Sequence, residues 1–233
     1  MMWLAAAGWG AFGAVSLLIG AWLAVHWRPQ ARTVGLIMGF GAGTLLGAIA
    51  YELIPEESFR NGWSFIAFAI GSVVFFAADR ATTGRHKSEA AASSSIALGA
   101  LLDGVPESLV LGMSLAAGGH VSIAFLAAVF LSNLPESLGA TSGLRKAGHT
   151  TMAIYRMWAG IVLVSAVAAA LGYALLRLLP HADGAYVEAF AAGAVLTMLA
   201  NSMIPEAVKQ GRRWTGLLVT LGFAVAGVLT LLE

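Results

Sequence analysis

Two segments of this chain place acids where an ionised group is expensive. Asp103-Gly104-Val105-Pro106-Glu107-Ser108-Leu109 and Ser132-Asn133-Leu134-Pro135-Glu136-Ser137-Leu138 match at an offset of 29 residues, and each lies deep inside a long apolar stretch. An ionised carboxylate in mid-bilayer costs several kcal/mol unless it is paired, hydrated or bound to a cation. Residues four apart share a helix face, so Asp103 stands over Glu107 and Ser132 over Glu136. Pro106 and Pro135 each remove a backbone donor and free a carbonyl one turn earlier, at Leu102 and Leu131. Three carboxylates, Ser132, Asn133 and the freed carbonyls make an oxygen-rich site suited to hard or borderline divalent ions. Gly104 and Ser108 are small enough for two such helices to approach closely. The bland alternative is a protonated Glu hydrogen-bonded to a neighbouring helix, but three acids on two proline-broken helices are costly as mere glue.

The elements that must carry these residues are membrane helices. Of the 233 residues 59% are hydrophobic and only 11% charged, with a mean hydropathy of +0.83, against roughly 25% charged in soluble domains. A hydrocarbon core of ~30 Å needs roughly 20 apolar residues as helix. Runs of that kind fall near 8–26, 33–54, 63–79, 94–115, 120–142, 152–178, 186–206 and 214–232. The expectation is one transmembrane domain, 1–233, all-α, with eight spans: three in 1–80, a central pair in 94–142 that holds the acids, and three in 152–233. The first run lacks a basic start and a convincing cleavage site, so it reads as a span and not as a removed signal. No ten-residue alternating segments point to a β-barrel. The polar stretch from Asp79 to Ser95 reads as a loop, and its His86 as a solvated side chain. The absence of cysteine excludes disulfides and thiolate ligands.

Basic residues are retained on the cytoplasmic side, and here they fall in alternate loops. Arg28, Arg32, Arg80, Arg85, Lys87, Arg145, Lys146, Lys209, Arg212 and Arg213 lie on one side, and only Arg60 and Arg177 on the other. Both termini are therefore expected outside the cytoplasm of a cytoplasmic-membrane protein. The net charge of +1 is an orientation signal and no nucleic-acid footprint.

Span two has a weak copy in span seven. At an offset of 150, Phe40, Ala42, Gly43, Ala50, Ile54, Pro55 and Glu56 recur as Phe190, Ala192, Gly193, Ala200, Ile204, Pro205 and Glu206. Four spans intervene, so the copies run in opposite directions, as in transporters with inverted repeats. Glu52 and Glu56 at one mouth, Glu206 at the other, and Asn201 and Ser202 between are candidate ion-path residues, with Tyr51 as a further polar lining. Glu57 reads as an ordinary interfacial charge. Arg156, one turn into span six, either snorkels to the interface or reaches Glu136 or Glu107 as an internal cation. Met113, Met157, Met198 and Met203 offer thioethers, though helix methionines usually pack.

On its two Pro-Glu segments the chain resembles the ZIP (Zrt/Irt-like) family of metal transporters. The resemblance implies eight spans, a 3+2+3 inverted repeat, both termini outside, inward transport and a homodimer. The family's fourth and fifth spans hold the metal through His-Asn-x-Pro-Glu-Gly-type motifs. At those positions stand Asp103, Gly104, Pro106, Glu107 and Ser108, then Ser132, Asn133, Pro135, Glu136 and Ser137. Asp103 and Ser132 replace the motif histidines, and Gly104 the first asparagine. All five histidines lie in loops or at span ends, and span six has no acid between Met152 and Leu176. One metal site is expected instead of two, with selectivity shifted from zinc toward manganese or iron(II); cadmium belongs to the same ligand class. The function expected is transport of divalent metal as substrate, with no organic cofactor. Alternatives are transport of protons, an amine or another small cation, or a membrane metal sensor without flux. An intramembrane hydrolase is disfavoured, because His-Glu-x-x-His and Gly-x-Ser-x-Gly are absent.

Overall fold

The Ile-Pro-Glu sequence that recurs in spans two and seven has a direct backbone consequence. A proline cannot donate to the helix ladder and crowds the carbonyl four residues earlier, so the preceding turn widens. In the computed structural model, which describes residues 2–27, 29–54, 62–83, 89–118, 120–178 and 184–232, both copies contain a π-helical turn. The turns are Ile49–Leu53 and Leu199–Met203, 150 residues apart. Each closes with a bond from residue i to i−5, Ile54 N–H to the Ile49 carbonyl and Ile204 N–H to the Leu199 carbonyl. After Ile54 (φ −122°) the first copy leaves the helix, whereas after Ile204 (φ −65°) the second continues helical.

All described elements are helical. They are α1 (Met2–His26), α2 (Ala31–Ala48, then the first π turn), α3 (Gly62–Thr83), α4 (Glu89–Gly118), α5 (Ile123–Lys146) and α6 (Thr151–Leu178). There follow α7 (Gly184–Met198, then the second π turn), α8 (Ile204–Gly211), a 3₁₀ turn (Arg212–Trp214) and α9 (Thr215–Thr230). Among the described residues seven stretches are long and apolar enough to cross a membrane, where eight spans were expected. The last, Ala185–Thr230, has 46 residues and covers both the seventh and the eighth expected span. At ~1.5 Å per residue it would be roughly 70 Å long if straight, over twice a hydrocarbon core. It is not straight: Arg212 has φ 59°, and the helix ends there. The expected loop from Asp79 to Ser95 is shorter than its polarity implied. Helix α3 runs on to Thr83, and α4 begins at Glu89 through an alanine-rich tract of high helix propensity.

Glycines set the packing. Gly35, Gly39, Gly43 and Gly47 of α2 lie against Gly211, Thr215, Val219 and Phe223, so α2 and α9 run parallel in register. A methyl group at Gly43 would collide with the Val219 carbonyl, and one at Gly222 with the Phe40 carbonyl. The α3–α7 crossing has the same form: Gly71 against the Phe190 carbonyl and Gly193 against the Phe68 carbonyl. Small residues also bring α4 against α6 (Gly112, Gly172) and α1 against α5 and α6 (Gly20, Gly10). The close contacts thus sort the helices into three sets: α1, α4, α5 and α6; α2, α8 and α9; and the pair of α3 and α7, which touches both α4 and the π turn after α2. Each set mixes residues from both ends of the chain, so the first and last thirds are interlocked and do not form separate halves. The first two sets meet chiefly where Gly41 of α2 crosses Leu131 and Ser132 of α5.

Beyond that crossing, where α2 ends and α5 begins, the interior is apolar. Leu45, Ile49, Leu53, Phe125, Val129 and Val195 pack there as one core. On the other side, where α2 begins and α5 ends, the interior is open, and its walls mix acids and hydroxyls with methionines and small residues.

Candidate functional site

Helix α4 stacks Asp103 and Glu107 on one face, and α5 faces them with Ser132 and Glu136. All four line a single cavity of about 350 Å³. Its remaining walls are Met38 of α2, Gly139, Ala140 and Gly143 of α5, and Met198, Ser202, Met203, Glu206 and Gln210. The small residues follow Glu136 at the helical spacing and keep the channel along α5 open. The cavity runs from Glu107, which is 1% exposed, to Gly143 at the surface, beside Arg145 and Lys146. It therefore extends to the end of the bundle where the basic residues cluster.

Glu107 is the anomaly. Its Oε2 is buried and has no hydrogen-bond partner. An unsatisfied buried acceptor costs about 1–3 kcal/mol, and an ionised one more. Ser132 and Glu206, by contrast, have partners. Ser132 Oγ donates to the Val129 carbonyl at 2.9 Å, which leaves its own lone pairs for the cavity. At the mouth Glu206 accepts from Gln210 Nε2 at 2.7 Å and from Lys209 Nζ at 3.1 Å.

Several expected site residues lie elsewhere. Asn133 is buried against α1, where its Nδ2 donates to the Gly13 carbonyl at 3.5 Å, and it is not part of the lining. One residue past Ser132 it is turned about 100° round the helix, so it cannot share the face of Ser132 and Glu136. The same rotation separates Ser202, in the lining, from Asn201, which is exposed. Glu52 is absent from the lining; its Oε1 accepts from Thr230 Oγ1 at 2.8 Å, beside the Tyr51 ring stacked on Phe223. Arg156 is exposed and outside the lining, because α6 turns Ile154, Trp158 and Ile161 inward, so it is no internal cation for these acids. The Leu131 carbonyl faces Gly41, not the acids, and serves helix packing. Met113 is buried outside the cavity. Glu56, Glu57, His86 and His181 lie outside the described residues. His26, His120 and His149 stand away from the lining.

The cavity also holds residues that sequence reasoning passed over. Gln210 is one helical turn from Glu206, and that spacing alone could have found it. Met38 carries no such signal; its orientation follows from the glycine edge that α2 presents to α9. Among the described residues no three His, Cys, Asp or Glu side chains converge as a ready metal-binding group. The acids share a wall without meeting at one point.

No family model matches this chain, and no curated protein matches it. Fold and cavity by themselves define the class: an all-α, multi-pass membrane protein with an acid-lined cavity inside the bundle.

Proposed function

We propose that the protein transports divalent metal cations across the cytoplasmic membrane by alternating access around Asp103, Glu107 and Glu136. The observation that carries the reading is the unpartnered, buried Oε2 of Glu107 in a cavity that three further acids, Asp103, Glu136 and Glu206, also line. A passing cation would supply the missing partner and offset the repulsion among the three carboxylates. By the distribution of basic residues the cavity opens toward the cytoplasm, while the apolar core around Leu45, Ile49 and Phe125 bars the other side. Acids that share a wall without converging suit a release conformation, from which an ion leaves down a path ending at Glu206.

The bodies that would move against each other are the set α1, α4, α5 and α6, which carries Asp103, Glu107 and Glu136, and the helices that face it across the cavity. This differs from a motion of one sequence repeat against its copy, since α2 is locked to α9 and α3 to α7. Eight crossings in an inverted 3+2+3 repeat are supported by the π turns 150 residues apart and by the matched glycine crossings. Under that repeat Phe40 and Gly43 correspond to Phe190 and Gly193.

Uptake of cadmium and manganese into proteoliposomes tests the reading. Flux is expected for the native chain and is lost in a Glu107→Ala, Glu136→Ala double variant. Unchanged flux in the double variant would defeat it.

A further inference from the structure

The cavity brings oxygen and sulfur together. On α4 and α5 it is lined by oxygen, from Asp103, Glu107, Ser132 and Glu136. Facing these, α2, α7 and the second π turn contribute Met38, Met198 and Met203, beside Ser202, Glu206 and Gln210. All three methionines are between 3% and 9% exposed, so their thioethers are out of bulk water yet border the cavity. We infer that this thioether wall is part of the cation site and biases it toward soft or borderline ions such as cadmium, against hard ones such as manganese. The inference rests on the reading of the cavity as a cation path.

Two observations separate this from ordinary packing. The first comes from the related positions at the offset of 150. Met198 corresponds to Ala48 and Met203 to Leu53, and all four belong to one buried apolar cluster. Of the four only the two methionines also border the cavity, so the larger, sulfur-bearing side chains stand where the cluster meets the open space. The second is local geometry. Met203 ends the π turn and Met198 immediately precedes it, and such a turn re-aims the side chains on either side of the inserted residue. In sequence terms the loss of motif histidines points to harder ions. The cavity replaces the missing nitrogen with sulfur instead, and polarizable sulfur ligands favour softer metals.

The test compares cadmium and manganese binding to the purified full chain by calorimetry, with a Met38→Leu, Met198→Leu, Met203→Leu variant of nearly conserved volume. Cadmium affinity is expected to fall at least tenfold and manganese affinity to stay within twofold, so that manganese binding also reports an intact fold. X-ray absorption at the cadmium edge should show a sulfur neighbour in the native chain and none in the variant. If both ions bind and the variant weakens neither, or weakens both equally, the thioether assignment is overturned and the cation path stands. If neither ion binds the native chain, the cation path itself falls and this inference with it.

Discussion

Replacing Glu107 by glutamine keeps the shape of the side chain and removes its capacity to ionise, and two consequences follow. The first is on binding. A carboxylate and a unit charge ~4 Å apart attract by about 4 kcal/mol at an effective dielectric of about 20, hence about 8 kcal/mol for a divalent ion. Ionising and desolvating a group that is 1% exposed takes back several kcal/mol. If about 2–4 kcal/mol remains, cadmium affinity drops roughly 30- to 1,000-fold in Glu107→Gln. The second consequence is on the metal-free protein. A carboxyl that ionises only on binding is neutral there, and glutamine matches it in shape and charge, so stability without metal should stay within about 1 kcal/mol. Thermal melting in detergent reads both effects. At a cadmium concentration one hundred times the native Kd, the native chain gains about 2.7 kcal/mol. A variant with hundredfold weaker affinity gains only about 0.4 kcal/mol at that concentration. A structural role for Glu107 predicts instead a loss of more than about 1 kcal/mol in the metal-free state. Unchanged metal-dependent melting, or a metal-free variant destabilised beyond that margin, would refute the reasoning.

Three further outcomes follow from the same geometry. Gly43→Val drives a side chain into the Val219 carbonyl and should cost about 2 kcal/mol or more of stability, whereas Gly160→Ala, which meets open space, should be neutral; equal melting of the two variants would mean that α2 and α9 are not packed as described. Buried carboxyl groups must shed protons to hold a cation, so cadmium affinity should fall as pH drops from about 7 to about 5, with about one to two protons released per ion; calorimetry in buffers of different ionisation enthalpy counts them, and zero released would contradict a carboxylate site. Asn133→Ala should lose about 1 kcal/mol of stability through its bond to the Gly13 carbonyl while leaving metal affinity within about twofold; a tenfold loss of affinity would place Asn133 in the cation site after all.

What was legible in the sequence and what was not divides along physical lines. Asp103, Glu107, Ser132 and Glu136 were legible because a helix repeats every four residues whatever its surroundings, and a mid-span acid announces its own cost. Asn133 and Asn201 were misread because their polarity marked them, while their position one residue off the lining face was decided by neighbouring helices. Arg156 was ambiguous for a related reason: a long cation near a span end can point either way, and only the burial of Ile154 and Trp158 on the opposite side of α6 settles it. The Ile-Pro-Glu repeat pointed to related helices but not to the π turns that it produces, nor to the different fates of Ile54 and Ile204. Least legible was the pairing of helices. Glycines 35, 39, 43 and 47 read only as a stripe open to any close neighbour, and sequence does not say that the neighbour is α9. Yet that pairing decides which helices must move together. With α2 held to α9 along four successive turns, the alternating access proposed above would include a shift where Gly41 crosses α5. Glycine at position 41 is what lets the two helices come this close, since a methyl group there would lie 2.7 Å from the Leu131 carbonyl oxygen and 3.0 Å from the Ser132 Cα.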